Sequence, residues 1–166
     1  MHALTMMDLV RTLLILALVY LAYIDLRTFR LPDAMTIPMI AAGLVFNYLP
    51  NLGLTSFPNA IAGAFLGYAF LWGLNFIYRW AKKQNGVGMG DAKLLAALGA
   101  WFGLSALPGI LLVASISGLL GGLIWLRYQK QSIRSSFPFG PFLAVAGIIE
   151  LLWPQILQTW FLNNLI

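Results

Sequence analysis

The stretch AMTIPMIAAGLVFNYLPNLGLTSFPNAIAGAFLGYAFLWGLNFIY, Ala34 to Tyr78, contains no Asp, Glu, Lys or Arg. A bilayer core about 30 Å thick is crossed by roughly 20 apolar residues rising about 1.5 Å each, so this run is long enough for two crossings. Its middle, with Tyr48, Pro50, Asn51, Gly53, Thr55, Ser56, Pro58 and Asn59, is built of turn formers and predicts two helices joined by one short loop. The same ruler applied upstream predicts a first span from near Leu9 to Ile24 or a little beyond. That run is too long, and too firmly followed by Asp25 and Arg27, for a cleavable signal peptide. Downstream, the charge-free run between Leu94 and Leu126 is broken by Gly103, Ser105, Pro108 and Gly109, which predicts a tight hairpin of two rather short helices. A last span is expected over about Gly140 to Phe161, with Glu150 roughly half way along it. The expected fold is all-α and integral to the membrane, a bundle of about six transmembrane helices. No linker, repeat or low-complexity tract divides the chain, so residues 1–166 read as a single transmembrane domain.

Composition agrees with that reading. Of 166 residues, 61% are hydrophobic and only 9% charged, where a soluble domain carries roughly 25%, and the mean hydropathy is +0.86. There is no cysteine and a single histidine, His2, which removes disulfides, thiolate-ligated metals and any catalytic thiol; serine chemistry finds no base. What remains is carboxylate, hydroxyl or amine chemistry. The net charge of +5 does not point to nucleic acid, because the charges are few and lie between apolar runs. All the basic residues except Arg11 fall in three clusters: Arg27 and Arg30; Arg79, Lys82, Lys83 and Lys93; Arg127, Lys130 and Arg134. These are alternate loops, and the positive-inside rule puts them in the cytoplasm and both chain ends outside.

Small residues at helical spacing, Gly63 with Gly67 and Gly118 with Gly122, let backbones approach closely inside such a bundle. Trp80, Trp153 and Trp160 read as interface anchors.

This topology sorts the five acidic residues. Asp8 lies at the outer edge and Glu150 within the last span, while Asp25, Asp33 and Asp91 lie at the cytoplasmic edge. Asp25 falls about one turn inside the hydrocarbon, and Asp91 opens the fourth helix from the same side. A carboxylate inside a membrane is costly, so it is a functional candidate by default, and two at one depth strengthen the case. Two carboxylates facing each other in a poorly solvated site cannot both ionise and so share one proton. One takes a proton from water as that water attacks a peptide carbonyl; the other donates to the oxyanion or leaving amine. Just before Asp91 the chain reads Asn85, Gly86, Val87, Gly88, Met89, Gly90, and alternate glycines admit positive φ and close approach of a substrate strand. As a phosphate cradle the loop lacks the GK[ST] ending. The bland alternative pairs Asp25 and Asp91 with Arg27 and Lys93 at the headgroup level; the two basic residues read as snorkelling side chains. A second functional class, a small transporter or proton-coupled protein, would use Glu150.

Asp25 followed by Arg27, Pro32 and Asp33, the tetrad Gly88-Met89-Gly90-Asp91 continuing through Lys93 to Trp101, and Phe137-Pro138-Phe139-Gly140-Pro141-Phe142 together resemble the type IV prepilin peptidases over nearly the whole chain. The resemblance implies a GxGD aspartic endopeptidase of the bacterial inner membrane. Such an enzyme removes the short leader from type IV prepilins and type II secretion pseudopilins, and the two family aspartates map onto Asp25 and Asp91. It implies supporting roles for Gly88, Gly90, Lys93, Arg27, Pro32, Asp33, Pro138, Gly140 and Pro141, a precursor protein and the lipid bilayer as partners, and no cofactor. Larger members carry a cytoplasmic insertion with paired CxxC zinc motifs and also methylate the new N-terminus. Without cysteine this chain resembles the protease core alone, which leaves N-methyltransferase activity doubtful and zinc unexpected. Asp33 is expected to cap the second helix, and Pro141 to start the sixth.

Overall fold

The computed structural model describes residues 2–82, 88–129 and 138–154, and every regular element among them is helical. The order is α1 (His2–Thr28), α2 (Asp33–Tyr48), α3 (Phe57–Lys82), α4 (Met89–Phe102), a 3₁₀ turn (Leu104–Ala106), α5 (Leu107–Gln129) and α6 (Gly140–Leu152). Among the described residues, three segments are long and apolar enough to cross a membrane: Met6–Thr28, Phe57–Ala81 and Leu104–Leu123. The other three helices are shorter. Of these, α4, with 14 residues and a length of roughly 21 Å, is enclosed by protein rather than presented to lipid.

α4 is the axis of the bundle, with α2, α3 and α6 packed around it, α1 against α6 and α5 against α6. Small residues make this possible. Ala92, Ala96, Ala97, Gly99 and Ala100 leave α4 thin enough for neighbouring backbones to approach, while Leu94, Leu95 and Leu98 fill the spaces between. Gly63 of α3 and Gly99 of α4 cross backbone against backbone, and a Cβ on Gly67 would sit 2.9 Å from the Leu95 carbonyl oxygen. The first small-residue pair thus lets backbones approach closely, as expected, and the structure shows the neighbour to be α4. Of the second, Gly118 lies against the rings of Phe139 and Phe142, and neighbouring Gly121 also receives the Phe142 ring.

Loose polar ends are tied at one pole of the bundle. Asn47 of α2 donates from Nδ2 to the carbonyls of Ala100 (2.8 Å) and Trp101 (3.0 Å), covering the C-terminus of α4, and its Oδ1 accepts the Thr55 N–H. Trp101 Nε1 donates to the Met39 carbonyl. Asn59 Oδ1 accepts the Leu104 N–H. Gly103, with φ of +84°, makes the turn out of α4 in a conformation that glycine adopts freely.

Two boundaries differ from the sequence expectation. α1 begins at least by His2, so Asp8 lies within it. α6 ends at Leu152, because Pro154 disfavours helix at Trp153, which has φ −132° and ψ 75°. Glu150 therefore occupies the last turn of α6 instead of the middle of a span, and the expected continuation to Phe161, with Trp160, lies outside the described residues. Trp80 (85% exposed) and Trp153 project outward as expected for interface anchors.

Candidate active site

At the pole opposite Asn47, the last turn of α1 and the first turns of α2, α4 and α6 converge. Asp25 is one turn from the end of α1 and only 4% exposed. α1 closes through the Phe29 N–H, which donates to the Asp25 carbonyl at 2.8 Å, with Phe29 itself at φ +53°. This sharp stop holds Asp25 in helix and turns the chain at once toward α2. Asp25 Oδ2 accepts the backbone N–H of Gly140 at 3.1 Å. That bond answers a need of α6, whose N-cap Phe139 offers no side-chain acceptor and whose second residue, Pro141, has no N–H. The carboxylate of α1 in effect caps α6. Gly140 must be small for this to occur, since a Cβ there would lie 2.6 Å from Asp25 Oδ2.

Asp91 is the third residue of α4 and 8% exposed. Its carboxylate accepts the backbone N–H of the N-cap residue Gly88, the reach-back of a capping box, which aims the side chain toward the start of its own helix. It lies within electrostatic reach of Asp25. The two acids are thus presented by helices running in opposite senses, Asp25 near a C-terminus and Asp91 near an N-terminus, and each is oriented by a backbone N–H of a glycine.

The glycines act through space rather than through unusual backbone. Gly88 has φ −67° and Gly90 is helical, so positive φ is not used at either; Gly86 lies outside the described residues. A Cβ on Gly90 would meet Leu31 Cβ at 2.9 Å, and one on Gly88 would meet Asp91 Oδ2 at 3.2 Å.

The remaining residues named from sequence divide between the site and its rim. Pro32 is the N-cap of α2, and Asp33, the first helical residue, makes no capping hydrogen bond; its carboxylate instead forms an ion pair with Lys93 of α4. This corrects the capping expected of Asp33 and gives Lys93 a protein partner. Their pairing joins the first turns of α2 and α4, a contact between distant segments that local sequence does not signal. Arg27 stacks over the Tyr23 ring at 5.2 Å on the exposed side of α1. Pro138 is buried just before α6, and Pro141 stands at its start as expected; Phe137 lies outside the described residues. Two residues gain importance that sequence did not give them. Leu31 is buried among Asp25's neighbours, and Asn75 of α3 is buried with Nδ2 3.9 Å from Met89 Sδ, beside the first residue of α4.

Comparison with known proteins places this chain in a family. The type IV leader peptidase family model matches residues 12–123, a range that contains both Asp25 and Asp91. The prepilin leader peptidase/N-methyltransferase of Aeromonas hydrophila is 47% identical over 154 residues, 92% of this chain and 52% of that protein. The proteins of the same name from Aeromonas salmonicida and Dickeya chrysanthemi are 44% and 43% identical, over 93% and 86% of this chain and 52% and 49% of their own lengths. The chain thus spans about half the length of the curated relatives it matches. No solved structure matches it significantly. Two buried, glycine-held aspartates at one pole of a helical bundle, and a family match that encloses both, make this chain a member of the type IV leader peptidase family.

Proposed function

We propose that this chain is a membrane-embedded aspartic endopeptidase. It removes the short leader from type IV prepilins or type II secretion pseudopilins at the cytoplasmic face of the bacterial inner membrane, with Asp25 and Asp91 as the catalytic pair. The observation that carries the reading is the approach of two buried carboxylates from α1 and α4, inside the span of the family match. The ionised member of the pair takes a proton from a water as its oxygen adds to the scissile carbonyl. The protonated member stabilises the oxyanion and then supplies the proton that leaves with the new amine, so one water is consumed for each bond cut. A helical peptide hides its carbonyls in backbone hydrogen bonds, which favours cleavage at a helix end, where a polar leader meets an apolar helix.

The same reading has about six crossings, the three basic loops in the cytoplasm and both ends of the chain outside, with residues 1–166 acting as one transmembrane peptidase domain. The grouping of basic residues and the convergence of Asp25, Asp33 and Asp91 at one pole support it. Its partners are the precursor protein and the lipid bilayer. Proteolysis is the activity assigned, and N-terminal methylation is a separate question. Transport through Glu150 is not favoured: that residue sits in the last turn of α6, already engaged in a contact, and the family is one of peptidases.

The test is coexpression with a prepilin followed by mass spectrometry, with and without S-adenosylmethionine in the purified reaction. Asp25→Asn and Asp91→Asn are each expected to abolish leader removal while the protein remains inserted. Processing retained in either variant overturns the assignment. A mass gain of one methyl group on the product would add the second activity.

A further inference from the structure

The connection between α1 and α2 is four residues long, Phe29 to Pro32, and its one buried side chain is Leu31, 7% exposed. Leu31 touches both helices that orient the aspartates. From α4, the position of a Cβ on Gly90, the residue before Asp91, lies 2.9 Å from Leu31 Cβ, 3.3 Å from its backbone nitrogen and 3.5 Å from Cδ1. From α6, the same position on Gly140, whose N–H holds Asp25, lies 3.2 Å from Leu31 Cδ1. One methyl group therefore lies against both glycines.

The connection is also held at each side. Before Leu31, Thr28 Oγ1 lies 2.9 Å from the Ile24 carbonyl oxygen and accepts the Arg30 N–H at 3.3 Å. After it, the Pro32 carbonyl accepts the N–H groups of Met35 and Thr36, and Asp33 pairs with Lys93. Leu31 is therefore a fixed spacer and not a side chain on a free loop.

We propose that Leu31 is a positioning residue for the peptidase reaction: its side chain sets the distance at which α4 and α6 hold Asp91 and Asp25. It touches no reacting atom. Protein interiors are close-packed, so the volume of the group between two helices fixes their separation, and a displacement of about 1 Å at a reacting group can cost about 10²-fold in rate. The inference rests on the reading of Asp25 and Asp91 as the catalytic pair, and its test has one arm that does not depend on activity.

In the first arm, kcat and KM for a purified precursor are measured in detergent or liposomes, per folded enzyme. Leu31→Ala is expected to lower kcat by about 10- to 100-fold with KM little changed. Leu31→Met, which refills the gap with similar volume, is expected to recover most of the loss. In the second arm the absence of native cysteine is used. Asp25→Cys with Asp91→Cys reports the separation by its rate of bridging with a short bifunctional methanethiosulfonate, and adding Leu31→Ala, which lets α4 and α6 close in, is expected to speed bridging several-fold. Gly90→Ala, which presses a methyl on Leu31 from the α4 side, is expected to lower kcat likewise but to shift the bridging rate in the opposite sense, and it serves if Leu31→Ala does not fold. The proposal is overturned if kcat and the bridging rate are unchanged in both Leu31→Ala and Gly90→Ala, or if KM rises at constant kcat. Should the native chain cleave no precursor, the peptidase reading fails while the bridging rates still judge the spacer.

Discussion

Replacing Gly140 with alanine measures how far catalysis depends on the hold that α6 has on Asp25. Gly140 is the first residue of α6, where alanine forms helix well, so the effect comes from space alone. The new methyl would stand 2.6 Å from Asp25 Oδ2 and 3.0 Å from Cγ. Ordinary contact begins near 3.4 Å, so Oδ2 must withdraw by about 0.8 Å, and the 3.1 Å bond from the Gly140 N–H is lost or stretched. A hydrogen bond contributes about 0.5–1.5 kcal/mol with a neutral acceptor and about 1.5–3 kcal/mol with an ionised one. At about 1.4 kcal/mol per tenfold in rate, its loss in the transition state corresponds to about a 2- to 100-fold fall in kcat. On the catalytic role proposed for Asp25, KM should change little. The assay is the initial rate of leader removal across precursor concentrations, followed by mass, with thermal unfolding in detergent to establish that the variant is folded. Gly73→Ala is the control, since nothing lies within 4 Å of a Cβ there. A folded Gly140→Ala enzyme with native kcat would refute the argument that this backbone N–H orients the carboxylate.

Gly99→Ala drives a methyl into the Gly63 carbonyl, with backbone on both sides and no flexible group to yield, so a loss of about 3 kcal/mol or misassembly is expected. Gly73→Ala should instead be neutral or gain up to about 1 kcal/mol from helix propensity; detergent melting temperatures of the two variants check the contrast. Asn47→Ala strips the side-chain partners from the Ala100 and Trp101 carbonyls and the Thr55 N–H, with an expected cost of about 2–4 kcal/mol. Asn47→Asp should be no better, because it loses the donor. In both, kcat per folded molecule should stay native, since the damage lies at the pole away from the aspartates.

The readings that survived from sequence were those whose physics is local. Hydropathy over about 20 residues and the turn formers between Tyr48 and Asn59 marked α2 and α3 nearly as they stand, and Pro141 marked the start of α6. The misses were of two kinds. Pro154 was available in the sequence and ends α6 by the restriction it places on Trp153, but the apolar run beyond it masked that signal. The partnership of Asp33 with Lys93 had no local signature, because it joins residues far apart in the chain.

Asp25 and Asp91 could be picked out before any coordinates because a carboxylate near an apolar span is costly and therefore rare, so its bare presence carries information. Their family context was equally legible, since the tetrad Gly88 to Asp91 and the segment around Gly140 are contiguous patterns. Why Gly90 and Gly140 have no side chain was not legible. Both lie in ordinary helix, and only the folded bundle brings Leu31 and the Asp25 carboxylate into the space that a Cβ would fill. Composition and periodicity act along the chain and decide which segments become helices. Which atoms of separate helices compete for one volume is decided by packing, and in this protein Leu31 and the Asp25 carboxylate fill the space beside Gly90 and Gly140.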